Sequence, residues 1–170
     1  MAETRRFYQP VAVNGALSVS GSITATGGTV GATPVPFTSG TGLALTRALH
    51  AGRTVYVTDL AAAYTLPAAT GSGDKYRIVL GATQTGAGTI KTAANETFIG
   101  NATLYADAGA TVVGFSAIAG NNTIDLLGTA NSTGGMLGAT YEFEDVASAL
   151  FHATIISDAG GTEATPFSTV

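Results

Sequence analysis

Apolar and polar residues alternate along residues 11–26 (V-A-V-N-G-A-L-S-V-S-G-S-I-T-A-T). Odd positions are apolar or glycine and even positions are small or polar, which is the period of an extended chain with one apolar face. A six-residue repeat overlies the alternation, because G-A-L-S-V-S is followed by G-S-I-T-A-T. A lone ribbon is marginal in water, so several copies sharing the apolar face are the simplest way to bury it. The pattern predicts a trimerising stalk whose axis is lined by Val11, Val13, Leu17, Val19, Ile23 and Ala25.

Short strands separated by turns account for most of the chain after this ribbon. In residues 75–80 (K-Y-R-I-V-L), Tyr76, Ile78 and Leu80 share one face of an extended chain, and lysine, arginine and valine share the other. We predict strands within 53–59, 63–67, 75–80, 88–92, 96–100, 101–106, 110–119, 122–127, 139–145 and 150–157. Many short strands at this spacing are typical of a β-sandwich or barrel, so the predicted fold is all-β with antiparallel strands.

Turn residues divide the strands. The dipeptide Gly120-Asn121 predicts a hairpin between the strands on either side of it. Residues 45–52 have a helical pattern too short for more than a turn or two, and 145–151 form a turn between strands.

The predicted organisation has three parts. Residues 1–42 form an N-terminal arm, the ribbon and a linker, since 29–42 are rich in proline and glycine. Residues 43–158 form the β body, and 159–170 form a second tail.

The composition predicts that much of the protein surface is in contact with other chains. Only 11% of the residues are charged, against about 25% in ordinary soluble domains, which leaves little protection against self-association. The net charge of −4 and the absence of a basic run beyond Arg5-Arg6 argue against a nucleic-acid binder. The sequence has no cysteine, no secretory signal pattern and no long apolar run, so we expect synthesis in a cytoplasm and no membrane partner.

Candidate chemistry is sparse. The segment G-S-G-D-K at 71–75 lacks phosphate-loop spacing and predicts a hairpin turn, and His50 and His152 have no metal-ligand partners at ligand spacing. Glu142 and Glu144, with Asp145 beside them, could in principle serve glycoside hydrolysis or bind calcium. A solvated strand face, or an ion pair across a subunit boundary, is the favoured interpretation. We therefore predict no catalytic residue, no metal and no cofactor or small-molecule substrate.

Aromatic residues stand in the irregular tails: Phe7, Tyr8, Phe37 and Phe167. A lone domain has no reason to keep large rings there, whereas rings that insert into a neighbour's pocket would explain them. The alternative is that the tails fold back on their own body.

The run N-G-A-L-S-V-S-G-S-I-T-A-T-G resembles the trimeric stalk segments of tailed-phage fibre and head-appendage proteins. The run R-T-V-Y-V-T-D-L-A-A-A-Y-T-L-P-A-A-T-G-S-G-D-K-Y-R-I-V-L-G is similar to small phage virion proteins that decorate or cement capsids. The resemblance implies a non-enzymatic homotrimer on the outer surface of the virion capsid, bridging neighbouring major capsid proteins. Candidate capsid contacts in this interpretation are Arg5, Arg6, Phe7, Tyr8, Phe37 and Phe167.

A second interpretation is a tail-fibre or receptor-binding module that recognises a host surface glycan. Sugar sites place exposed aromatic rings near carboxylates or amides, and Tyr141 with Glu142 and Glu144 is the grouping that fits. A capsule-degrading enzyme is disfavoured, because the chain is short for that work and its carboxylates are few.

Overall fold

Strands dominate the part of the chain that the computed structural model describes, which comprises residues 35–37, 42–61, 63–94, 96–106, 111–127 and 129–170. The chain divides into two units, Met1–Gly31 and Ala32–Val170, and these residues all belong to the second. The elements are β1 (Val35–Phe37), β2 (Leu43–Ala44), α1 (Arg47–His50), β3 (Thr54–Val57), β4 (Ala63–Thr65), β5 (Lys75–Leu80), β6 (Thr89–Lys91), β7 (Thr97–Ala106), β8 (Val112–Ser116), β9 (Thr123–Asp125), a 3₁₀ turn (Thr129–Asn131), β10 (Thr140–Ala147), β11 (Leu150–Ala159) and β12 (Phe167–Ser168). The prediction of an all-β fold is confirmed.

The strands form two sheets that share one buried apolar cluster. The seven-stranded sheet has the order β1-β3-β5-β10-β11-β7-β8, and the five-stranded sheet has the order β12-β9-β6-β4-β2. Buried side chains of both sheets belong to the same cluster, among them Val55 and Ile78 from the larger sheet and Tyr64 and Ile90 from the smaller. The core therefore lies where the inward faces of both sheets meet.

Both sheets are mixed, so the prediction of antiparallel strands is wrong for part of the fold. The pairs β1–β3, β3–β5 and β7–β11 in the larger sheet are parallel, as are β2–β4 and β4–β6 in the smaller. From β1 to β6 the chain alternates between the two sheets. Strands that follow one another within a sheet are therefore joined through a strand of the other sheet, which gives the long crossover that a parallel pair needs.

The predicted hairpin at Gly120-Asn121 does not exist. Strand β8 pairs with β7 in the larger sheet, whereas β9 pairs with β6 and β12 in the smaller one. Asn121 is buried, and its side-chain oxygen accepts a hydrogen bond from the backbone N–H of Ile118 (2.8 Å). The turn is thus a corner that takes the chain from one sheet to the other.

The two strands predicted at 96–100 and 101–106 are one strand, β7, which runs parallel to β11 from Thr97↔Leu150 to Ala106↔Ala159. Gly100, at the boundary between the two predicted strands, adopts a φ of +120° within β7. The other strand predictions are confirmed to within a few residues, and β5 has the predicted bounds. The short helical turn is confirmed as α1, and residues 145–151 contain the turn between β10 and β11.

The segments predicted as linker and C-terminal tail both contribute strands. Within 29–42, β1 pairs with β3 and places Phe37 beside Val57 in register. The proline in β1, Pro36, is tolerated because β1 is an edge strand. At the other end, Phe167 of β12 pairs with Ile124. Its side chain is only 4% exposed and belongs to the core.

Phe167 is therefore withdrawn as a capsid contact, because its ring fills this chain's own core; the alternative of a tail folded back on its body describes this segment. The predicted stalk residues and Arg5, Arg6, Phe7 and Tyr8 lie outside the described residues and stay predictions. No helix among the described residues is long and apolar enough to span a membrane.

Candidate functional site: the outer face of the seven-stranded sheet

Strand alternation gives the seven-stranded sheet a face directed away from the core, which we call the outer face. In β5, Tyr76 and Ile78 are buried while Lys75 and Arg77 are exposed. The same alternation continues on the neighbouring strands. The outer-face residues of the four central strands are Thr54 and Tyr56 of β3, Lys75, Arg77 and Val79 of β5, Thr140, Glu142 and Glu144 of β10, and His152, Thr154 and Ile156 of β11.

Charges on this face form two columns of opposite sign. Lys75 and Arg77 make a positive column on β5, and Glu142 and Glu144 make a negative column on β10. The register places Lys75 opposite Glu144 and Arg77 opposite Glu142. The Lys75 Nζ lies 3.5 Å from the Glu144 Oε2, and the Arg77 Nε lies 3.1 Å from the Glu142 Oε1. In the single chain the two glutamates lie on an exposed strand face, and their ion pairs are made inside this chain.

A shallow groove of about 330 Å³ crosses the charged half of the outer face. Its lining comes from β3, the segment before it, β5, β10 and β11: Gly52, Arg53, Thr54, Lys75, Tyr76, Arg77, Glu142, Phe143, Glu144, His152 and Thr154. His152 is thus a surface residue, whereas His50 is buried and its Nδ1 accepts a hydrogen bond from the Thr46 N–H (2.8 Å). No cluster of three or more potential metal ligands occurs in the part of the chain that the structure describes.

The other half of the outer face exposes large apolar side chains. Tyr56 and Ile156 are 44% and 50% exposed. They stand in one cross-strand row, because the register joins Tyr56 to Val79, Val79 to Thr140, and Thr140 to Ile156. Exposed apolar groups gathered on one face commonly mark an interaction surface.

The buried side chain of Asp145 attaches the turn at residues 70–72 to β10, at the end of the sheet that carries the charged columns. Although it follows Glu144 directly, it is 1% exposed, because an odd position on β10 points to the core side. Its carboxylate accepts hydrogen bonds from the backbone N–H groups of Thr70 (3.0 Å) and Gly71 (2.6 Å) and from the hydroxyl of Ser72 (2.7 Å). Burial alone would raise the pKa of Asp145, but these hydrogen bonds outweigh it and hold the pKa well below its usual value.

The glycine-rich turn at 70–74 therefore has a structural role that its sequence did not reveal. It is a turn, as predicted, but it joins β4 of one sheet to β5 of the other and is not a hairpin. Arg47 of α1 completes the cluster, with its Nη2 3.6 Å from the Asp145 Oδ2 and its Nε paired with Asp74. The period-two pattern, which sets Asp145 apart from Glu142 and Glu144, is the signal that could have found it.

The grouping of Tyr141 with Glu142 and Glu144 does not form one site. Tyr141 is 0% exposed, and its hydroxyl accepts a hydrogen bond from the Gly135 N–H (3.1 Å) on the core side of β10. Burial raises the pKa of the Tyr141 phenol. The glutamates stand on the opposite face, so the aromatic ring expected for glycan recognition is not available beside them.

Comparison of the chain with protein-family models, curated proteins and solved structures finds no match in any of the three.

Proposed function

We propose that this chain is a structural protein of a tailed-phage virion, a homotrimer that binds the outer capsid surface through the major capsid protein and stabilises the shell. The observation that carries the proposal is the pattern at 11–26, whose six-residue repeat and apolar face are buried most simply among copies of itself. The low content of charged residues and the exposed apolar row at Tyr56 and Ile156 also favour a protein that works among other chains.

Stabilisation would follow from mass action. A protein that binds the expanded shell and not its precursor favours the expanded state by its binding free energy, repeated over many copies. Trimerisation joins three weak contacts into one strong attachment, so each arm need contribute little. Arg5, Arg6, Phe7 and Tyr8 are the proposed shell contacts, together with Phe37.

The proposed function is tested by mixing the purified protein with expanded and unexpanded shells that lack it. Co-sedimentation with expanded shells, together with a rise in the temperature at which those shells break, is the expected result. Shells that sediment without the protein, or that break at an unchanged temperature, would reject the proposal.

Substituting Leu17 by aspartate is expected to convert trimers into monomers or aggregates. Burying one medium-sized apolar side chain is worth roughly 1.5–3 kcal/mol, and three copies would place three charges at one axis. Light scattering on the full chain measures the mass, which should correspond to three chains of 16.9 kDa, or to a whole multiple of three chains, in the wild type and not in the variant.

The matched control is Ser18→Asp, which adds the same charge on the polar side of the ribbon and should leave the trimer intact. An intact trimer from Leu17→Asp would remove the argument for an apolar axis. Ile23→Asp offers an independent repeat one hexad later.

A further inference from the structure

The arrangement of the two charged columns on the outer face is self-complementary under a twofold rotation. They are adjacent, opposite in sign and matched in level, because Lys75 pairs in register with Glu144 and Arg77 with Glu142. A twofold axis that runs along the strands between β5 and β10 would set β5 of one copy over β10 of another. Each column would then face a column of the opposite sign at the same level.

We propose that the outer face is a contact between two copies of this chain, related by that twofold axis. Lys75 of one copy then faces the second copy's Glu144, and Arg77 faces the second copy's Glu142. The proposal goes beyond capsid binding and does not depend on it, since it uses only the registers and exposed side chains of the described sheet.

The same axis matches the apolar residues. It carries β3 of one copy over β11 of the other, so that Tyr56 meets the second copy's Ile156. In the same row Val79 meets Thr140. Sheets that pack face to face keep their strands within about 30° of each other, so these correspondences hold across the four central strands.

The two halves of the face have different roles in this contact. Covering Tyr56 and Ile156, each about half exposed in one chain, supplies the favourable free energy. The charged columns fix the orientation, because charge complementarity selects partners and register more than it adds affinity. The Lys75 side chain, which lines the groove and is 70% exposed among the described residues, can extend towards a facing sheet.

Other arrangements and other partners fit less well. A twofold axis running across the strands would set β5 over β5, so that the positive column faces a positive column, and like charges brought together cost affinity. A partner of one sign, acidic or basic, would desolvate the column of matching sign without pairing it. A second copy presents both signs in the required order.

A column-swapped variant, K75E/R77E/E142R/E144K, tests the proposal directly. It keeps both ion pairs within the chain, so the sheet should fold normally, and it reverses the order of the two columns. Two copies of the variant again face each other with opposite charges. A variant copy facing a wild-type copy would place like charges opposite each other. Sedimentation velocity on separately purified full-length proteins, each already assembled into trimers and one of them fluorescently labelled, should show that trimers of each protein associate with trimers of the same protein. Association between the two kinds of trimer should be at least about tenfold weaker.

Ile156→Asp provides a second measurement on the same face. It should abolish association through the outer face and leave the trimer proposed for residues 11–26, in a protein that keeps those residues and the charged columns. Ile118→Asp is its control, since Ile118 is 70% exposed in the loop after β8, and it should associate like wild type. Free mixing of wild type with the column-swapped variant, or a wild type that does not associate beyond its Ile156→Asp form, would overturn the proposal. Neither result would affect the shell-binding experiment or Leu17→Asp, which depend on other residues.

Discussion

Gly100→Ala is expected to destabilise the fold by at least about 4 kcal/mol, which is exceptional for removing or adding one methyl group. Gly100 has a φ of +120°, a backbone conformation that residues with a Cβ adopt only under strain. A Cβ at this position would also overlap the backbone carbonyl oxygen of Ala153. Because that oxygen belongs to β11, paired in register with β7, relief requires the two longest strands to move apart. Denaturant unfolding followed by circular dichroism measures the loss.

Gly114→Ala is the matched control for this substitution. Gly114 lies on the adjacent strand β8, has no positive φ, and a Cβ there would meet no atom within 4 Å. The change should therefore be neutral to within about 1 kcal/mol. If Gly100→Ala were as stable as Gly114→Ala, the close parallel pairing of β7 and β11 at this point would be wrong.

Asp145→Asn is expected to cost about 3 kcal/mol at neutral pH. The buried carboxylate accepts hydrogen bonds from Thr70, Gly71 and Ser72 and lies close to Arg47. An amide has a single acceptor oxygen, and its NH₂ group would point donors at donors. The β4–β5 turn would lose side-chain hydrogen bonds to β10 and keep its backbone hydrogen bonds to Asp145, and thermal unfolding should show the loss. The adjacent Glu144→Gln, on the exposed side of the same strand, should change stability by less than about 1 kcal/mol.

The pH dependence of this effect has a defined sign. The pKa of Asp145 in the folded state lies below the 3.8 of an ordinary aspartate, so the ionised carboxylate stabilises the fold. That contribution is fully present above pH 3.8 and is lost as the pH falls through the lower folded pKa. The difference in unfolding free energy between wild type and Asp145→Asn should therefore be constant near neutral pH and shrink below about pH 4. A difference that grew on acidification would contradict the assigned hydrogen bonds.

Alternation along single strands predicted much of the larger sheet. Residues 75–80 have the predicted bounds and faces, with Tyr76, Ile78 and Leu80 in the core. The exposed side of Glu142 and Glu144 follows from the same rule, because a period of two is a property of the local chain. By the same rule Asp145 belongs to the core side, but a buried carboxylate needs donors, and those come from a turn distant in sequence.

Which strands pair with one another could not be predicted from alternation along single strands. Backbone hydrogen bonds between strands carry no residue code, so nothing local says that β5 lies between β3 and β10 or that β8 and β9 belong to different sheets. The ion pairs of Lys75 and Arg77 are a consequence of that order. The role of Gly100 could not be predicted for a related reason, because glycine occurs both in turns and at places where another backbone comes close.

The sequence by itself determined that this is a chain of short strands with one apolar and one polar side each, poor in charge and with a repeated alternating pattern at residues 11–26. The tertiary structure alone decided which strands are neighbours, that the C-terminal segment completes the core through Phe167, and that charges of opposite sign stand in adjacent columns. The physical reason is the distance along the sequence over which each effect acts. Alternation and turn chemistry act over a few residues, whereas sheet order depends on contacts between distant segments, which exist only once the two sheets have closed over a common core.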